Sequence, residues 1–187
     1  MTVISNKIDE IFLLPLTEKD LLLSLFERVE AKKGEILINA DKIEHQIYFI
    51  EKGIARAYVD AAKGQTTIWF GEEGDIILSY LSFFKDKPGY ESIELLENSI
   101  LYRISSKAIK TLFSQNIQLA NWGRKFLEQE LLKTEERFMS LQFKTATERY
   151  KDLMAQHPSI LQRVPLGHIA SYLGITQVSL SRIRAKS

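Results

Sequence analysis

Between Lys33 and Ile104 the chain is cut by glycine turns into short runs rich in Ile, Tyr, Phe and Val. That texture restricts this part to a β-sandwich or β-roll, because β-branched and aromatic residues suit pleated surfaces and glycine supplies the turns. Lys33-Gly34 is a turn before Glu35 to Ile38. Lys52-Gly53 divides Gln46 to Asp60 into two strands of a hairpin. Lys63-Gly64 precedes Thr66 to Phe70, Gly74-Asp75 is a further turn, and Pro88-Gly89 precedes Ser92 to Leu96 and Ser99 to Ile104. Ahead of this region, Thr17 to Glu30 has helical spacing, with Thr17 as the expected N-cap and Leu21, Leu22, Leu25 and Phe26 on one face.

From about Ser106 the period changes to that of helices. Lys107 to Phe113 is a short helical piece, and Ile117 to Gln142 is a long one without proline. In the long piece Ile117, Ala120, Leu127, Leu131, Phe138 and Leu141 follow an approximate seven-residue repeat, the pattern of a seam between two helices. Leu119, Trp122 and Phe126 form a second stripe, expected to lie on the chain's own β-region. Thr145-Ala146-Thr147-Glu148 has the form of a capping box, so a new helix is expected to start there.

The chain has 187 residues and a net charge of +1, but the charge is unevenly placed. Residues 158–187 contain Arg163, Arg182, Arg184 and Lys186 and no acidic side chain, giving +4. Residues 1–157 hold the other 21 of the 25 basic residues against all 24 acidic ones, giving −3. The absence of cysteine excludes disulfides, thiolate nucleophiles and iron–sulfur clusters. Apolar runs such as Ile11 to Leu14 are too short to span a bilayer, and the N-terminal residues lack the order of a secretory signal, so a cytoplasmic protein without membrane association is expected.

The basic end also carries a pattern. In Leu166 to Ile183, Ala170 is small where a second helix would cross, Gly174 tolerates a left-handed turn, and Thr176 suits an N-cap. Ile169, Leu173, Ile175, Leu180 and Ile183 fill the space between the two helices. This is the order and spacing of a DNA-binding helix-turn-helix. Burying Leu180 and Ile183 turns Gln177, Val178, Ser181 and Arg182 outward, where Gln, Val and Arg can read adenine, thymine and guanine edges. Ser179, Arg184 and Lys186 are expected at phosphates. Double-stranded DNA is therefore the expected partner.

Taken in order, these parts resemble the Crp/Fnr (cyclic-AMP receptor protein-like) family of transcription regulators, particularly its small Bacteroidetes-type members. The resemblance rests on Lys33-Gly34-Glu35-Ile36-Leu37, on Tyr48-Phe49-Ile50 with Gly53, on Gly74-Asp75, and most specifically on Arg163 to Arg184. It implies an α+β protein with an N-terminal cyclic-nucleotide-binding-like β-roll (jelly roll), a long dimerisation helix and a C-terminal helix-turn-helix. The last would be winged-helix-like with the wing absent or truncated, since only Arg184 to Ser187 follow Ile183. The implied domains are 1–116, 117–143 and 144–187. The implied function is that of a dimeric, sequence-specific regulator and not an enzyme, with Gln177, Val178 and Arg182 at the main base-reading positions and RNA polymerase as a further partner if it activates.

The same resemblance locates a ligand pocket around Asp75 to Ser92, with Ser79, Tyr80, Tyr90 and Glu91 lining it and Thr134 near the nucleobase position of the long helix. Leu78-Ser79 and Tyr90-Glu91 replace the Gly-Glu and Arg-containing pairs of members that bind cyclic nucleotides. A carboxylate in place of the phosphate clamp repels such a ligand, so cyclic AMP is not expected. Haem is not expected either, with only His45, His157 and His168 available, and no cofactor is assigned. An unknown small-molecule effector is left open. A metal-dependent β-roll enzyme would need a histidine cluster, yet His45 alone lies in the β-region. The paired acidic residues Glu72-Glu73 and Glu135-Glu136 read as solvated charges. The competing reading is a ligand- or protein-binding β-roll module whose helix-turn-helix reads no DNA.

Overall fold

The computed structural model describes residues 1–62 and 64–185. Helices α1 (Thr2–Ile11) and α2 (Leu16–Ser24) precede β1 (Glu27–Ala31), β2 (Ile36–Ile38), β3 (Gln46–Lys52), β4 (Ala55–Ala61), β5 (Gly64–Gly71) and β6 (Ile76–Ile77). Then come α3 (Tyr80–Lys85), β7 (Ser92–Leu95), β8 (Ser99–Ser105), α4 (Ser106–Gln115) and α5 (Ile117–Phe143). The chain continues with α6 (Ala146–Gln156), α7 (Pro158–Arg163), α8 (Leu166–Tyr172) and α9 (Gln177–Arg184). Of the residues singled out above, Lys63 and Lys186 lie outside the described residues.

The strands form two antiparallel four-stranded sheets, ordered β1-β8-β3-β6 and β2-β7-β4-β5. Their inward faces bury Ile38, Ile50, Ala55, Ile77, Leu95 and Leu101 between them. The protein is thus α+β, with a β-roll followed by helices, as the strand and turn pattern predicted. The turn at Gly53 depends on glycine twice over. Its φ is +129°, and a Cβ there would come 2.1 Å from the Ser99 hydroxyl oxygen.

One element differs from expectation. Helix α2 ends at Ser24, and Glu27–Ala31 is a strand paired with β8, Glu27 opposite Arg103. Without β1, β8 would present an unpaired edge. Phe26 marks the change by packing on Phe49, with ring centroids 4.6 Å apart. Thr17 is not the helix cap. Pro15 holds that position, and the Thr17 hydroxyl bonds Glu18. Helices α1, α3 and α7 were not anticipated; α3 and α7 are short, but α1 buries Ile4, Ile8 and Ile11 at a helical spacing that the sequence did carry.

Helix α5 behaves as its two stripes predicted. Leu119 and Trp122 are buried with Ile4, Ile8 and Phe49, and the Trp122 indole N–H donates to the Ile8 carbonyl at 3.0 Å. The other stripe faces outward, leaving Ile117 72%, Leu131 70% and Phe138 60% exposed. The capping box forms as predicted, with the Glu148 backbone N–H donating to Thr145 Oγ1 and the Thr145 backbone N–H donating to the Glu148 carboxylate. Leu119→Ala is expected to destabilise the protein by ~2–5 kcal/mol, because it opens a cavity where α5 meets the roll. Urea denaturation of the purified variant measures this as a lowered midpoint with an unchanged slope.

Candidate nucleic-acid interface

Helices α8 and α9 form the predicted helix-turn-helix. Ile169, Ala170, Leu173 and Leu180 are buried between them, and Gly174 turns the chain with φ +69°. Thr176 caps α9, its hydroxyl accepting from the Ser179 N–H at 3.2 Å, and the Ser179 hydroxyl lies 3.0 Å from the same oxygen. Ser179 is therefore engaged in the cap. Gln177, Val178, Ser181, Arg182 and Arg184 are exposed. Neither Arg182 nor Arg184 has a hydrogen bond or ion pair among the described residues. Arg182 thus lies exposed beside a glutamine and a valine, with the Arg184 guanidinium further round the helix, a donor-rich surface suited to an anionic polymer.

Arginines behind this motif hold its first helix. Arg149 donates from Nε and Nη2 to the Leu173 carbonyl at 3.1 and 2.9 Å. Arg137 donates to the Tyr172 carbonyl and stacks 3.7 Å over the Tyr172 ring. These carbonyls end α8 and would otherwise lack partners. In front, the Ser171 hydroxyl receives the Thr67 N–H at 2.9 Å and donates to the Gln65 carbonyl at 3.2 Å, closing the outer edge of β5.

Two expectations about charge need correction. Arg163, counted above with the basic end, is not available to DNA. Its guanidinium is bound to Glu73 at 2.7 and 2.9 Å and to Glu97. Glu72 and Glu73 are not solvated charges. Glu72 accepts from Ser159 and sits 2.7 Å from His157 Nδ1, while Glu73 also accepts the Gly53 N–H at 2.9 Å. Burial alone would raise the Glu73 pKa, but the hydrogen bonds from Arg163 and Gly53 outweigh it and hold the carboxyl at about 2. These pairs escaped sequence reasoning because their members lie far apart in the chain and share no local spacing. Ser171 carried no signal at all.

The residues proposed for a ligand pocket are only partly brought together. Ser79 is buried, and its hydroxyl oxygen has no hydrogen-bond partner among the described residues. A Cβ on Gly89 would sit 2.5 Å from that oxygen and 2.8 Å from a Glu91 carboxylate oxygen, so both side chains crowd one spot. The Tyr80 hydroxyl reaches Glu130 on α5 at 3.4 Å, and burial together with that carboxylate pushes its pKa up. Asp75 accepts the Glu72 N–H at 2.9 Å, and burial raises its pKa. The Ser92 hydroxyl is used by the Ala40 N–H, Tyr90 is exposed, and Thr134 bonds the Glu130 carbonyl of its own helix. Phe83 is buried as expected of core, whereas Tyr80 and Phe84 are half-exposed. The three arginines of residues 1–116 are all committed: Arg28 to Glu30, Arg56 to Glu94 and Arg103 to Glu27.

Residues 28–116 match the cyclic nucleotide-binding domain family. No curated protein matches the chain. Among solved structures, FixK2 from Bradyrhizobium japonicum is similar with TM-score 0.75 and 18% identity, over 86% of this chain and 83% of that one. CLP of Xanthomonas campestris, a c-di-GMP responsive global regulator, is similar with TM-score 0.72 and 14% identity, over 92% and 91%. A protein from Eubacterium rectale ascribed to the crp/fnr family of transcriptional regulators has TM-score 0.70 and 18% identity, over 92% and 83%. The chain has the Crp/Fnr regulator fold. At these identities the likeness is one of fold, and it extends from the roll through the helix-turn-helix.

Acid should loosen the helix-turn-helix from the roll. Burial, then the positive charge of Arg56, lowers the His168 pKa from 6.5. Its contribution to stability is complete above 6.5 and is lost as pH falls through the lower folded value. Glu73, held at about 2 against an ordinary 4.5, contributes above 4.5 and loses that contribution as pH falls toward 2. Urea midpoints are expected to fall from about pH 7 downward, with His168→Gln flattening the upper part of the profile and Glu73→Gln the lower.

Proposed function

We propose that this protein is a dimeric, sequence-specific DNA-binding transcription regulator whose β-roll does not bind cyclic AMP. The observation that carries the proposal is the outward face of α9. Gln177, Val178, Ser181 and Arg182 stand exposed on a helix whose neighbours are tightly held, and Arg182 and Arg184 have no hydrogen bond or ion pair among the described residues. Side chains of these types read base edges in the major groove, with Thr176 and Ser179 at the helix start near the phosphates. Residues 1–116 then act as the sensor, 117–143 as the pairing helix and 144–187 as the reader. The setting is the cytoplasm, with RNA polymerase as a further partner if the output is activation.

Pairing is supported by the exposed stripe of α5. Leu131 lines a groove with Phe83, Phe84, Phe113, Ala120 and Leu127, and Phe138 is exposed further along the same helix. A second copy covers such a stripe with its own, as in other helix seams. Rejection of cyclic AMP is supported by Glu91 and by the commitment of all three roll arginines. An anionic ligand would meet a carboxylate and find no free guanidinium in the roll.

Selection of random duplex DNA by the full-length protein is expected to return an inverted repeat, with affinity falling steeply as salt rises. Arg182→Ala should weaken binding to the selected site by ~1–3 kcal/mol and relax its sequence preference. Unchanged affinity for that site would remove α9 from the interface and favour a ligand-binding module that reads no DNA. In sedimentation at micromolar concentration the protein should run as a dimer and Leu131→Glu as a monomer. Saturable binding of cyclic AMP in calorimetry would overturn the reading of the roll.

A further inference from the structure

The helix-turn-helix is anchored to the roll of its own chain at several separate places. One is apolar. Ile54 and Phe70 of the roll are buried among Leu153, Ile160, Ile169 and Leu173, and Phe70 lies 5.2 Å from the Tyr172 ring. Another is Ser171 on the outer edge of β5. A third is Arg163 at the end of α7. Its guanidinium binds Glu73 from the turn before β6 and Glu97 from the turn before β8, and Glu73 in turn holds the Gly53 N–H of the turn before β4. One arginine thus ties three turns of the roll to the DNA-reading helices.

Contacts at several separate places restrict orientation as well as distance. The roll is itself fixed to α5 through Trp122 and Leu119. In a pair of copies joined along α5, the separation and angle between the two α9 helices are therefore set by these contacts together with the direct one from Arg137 of α5 to Tyr172 of α8. DNA imposes a matching demand, because one added base pair moves a half-site by ~3.4 Å and rotates it around the duplex. A rigid reader meets a wrong spacing with strain, whereas a loosely tethered one adapts.

We infer that Arg163, with Glu73 and Glu97, is a positioning group that determines which half-site spacing the protein accepts, without touching DNA itself. This rests on the proposed reading of the protein as a DNA-binding dimer. It assigns to the ion-paired cluster a part of the specificity that α9 does not carry. Base identity is read by Gln177, Val178 and Arg182, and spacing by the anchor.

The test uses the full-length protein and a set of duplexes bearing the selected half-site as inverted repeats, with the central spacer changed one base pair at a time. The wild-type protein is expected to favour one spacer by about tenfold or more over its neighbours, equivalent to ~1.4 kcal/mol. Arg163→Gln and the double variant Glu73→Gln/Glu97→Gln should both flatten this profile to within about threefold, or ~0.65 kcal/mol, while preference for the half-site sequence persists. The two variants change net charge in opposite directions. A purely electrostatic effect would therefore move their overall affinities oppositely and leave both spacer profiles intact. Circular dichroism and urea midpoints confirm that each variant is folded before titration. A spacer profile like that of the wild type in both variants overturns the inference while leaving the DNA-reading proposal in place. Failure of the wild type to bind any member overturns that proposal and the inference with it.

Discussion

An edge strand must satisfy its outward backbone groups somewhere, and β5 does so on the hydroxyl of Ser171. Much of the architecture depends on this contact and the apolar core beside it. Because β5 is covered by α8, the edge is unavailable to another chain, which is one way natural sheets avoid edge-to-edge association. Because α8 is the first helix of the helix-turn-helix, the same contact fixes where α9 points. The sheet edge and the orientation of the reading helix are thus solved together by one serine and the Phe70–Tyr172 pair.

The electrostatics follow a similar economy. All three arginines of the roll are paired within it, and the acidic turn at Glu72 and Glu73 is spent on His157, Ser159 and Arg163. That leaves α9 with uncommitted cations on an otherwise nearly neutral chain. Net charge alone conceals this division. Among the described residues, Arg182 and Arg184 are the arginines left without an internal hydrogen bond or ion pair. Asp75 accepts the Glu72 N–H and so holds the backbone of the turn whose acidic residues reach α7.

Much of this was legible in the sequence because it is set by neighbours a few residues apart. The glycine turns, the alternation of strands, the capping box at Thr145 and Glu148, the cap at Thr176 and the left-handed turn at Gly174 all follow from local sterics and local hydrogen bonds. The two stripes of α5 were also visible, since a helix brings every third or fourth residue to one face. What lay beyond reach was whatever depends on long-range pairing. Glu27 to Glu30 reads as the end of the helix begun at Thr17, and it becomes part of a strand because β8 takes it as a partner. Arg163 reads as part of a basic tail and becomes an internal anchor because the fold brings Glu73 and Glu97 to it. Local order follows from covalent geometry and short-range interactions, which the sequence states directly. Which charges cancel, and which remain facing outward, is decided only when distant segments meet in low-dielectric surroundings and pairing outweighs solvation.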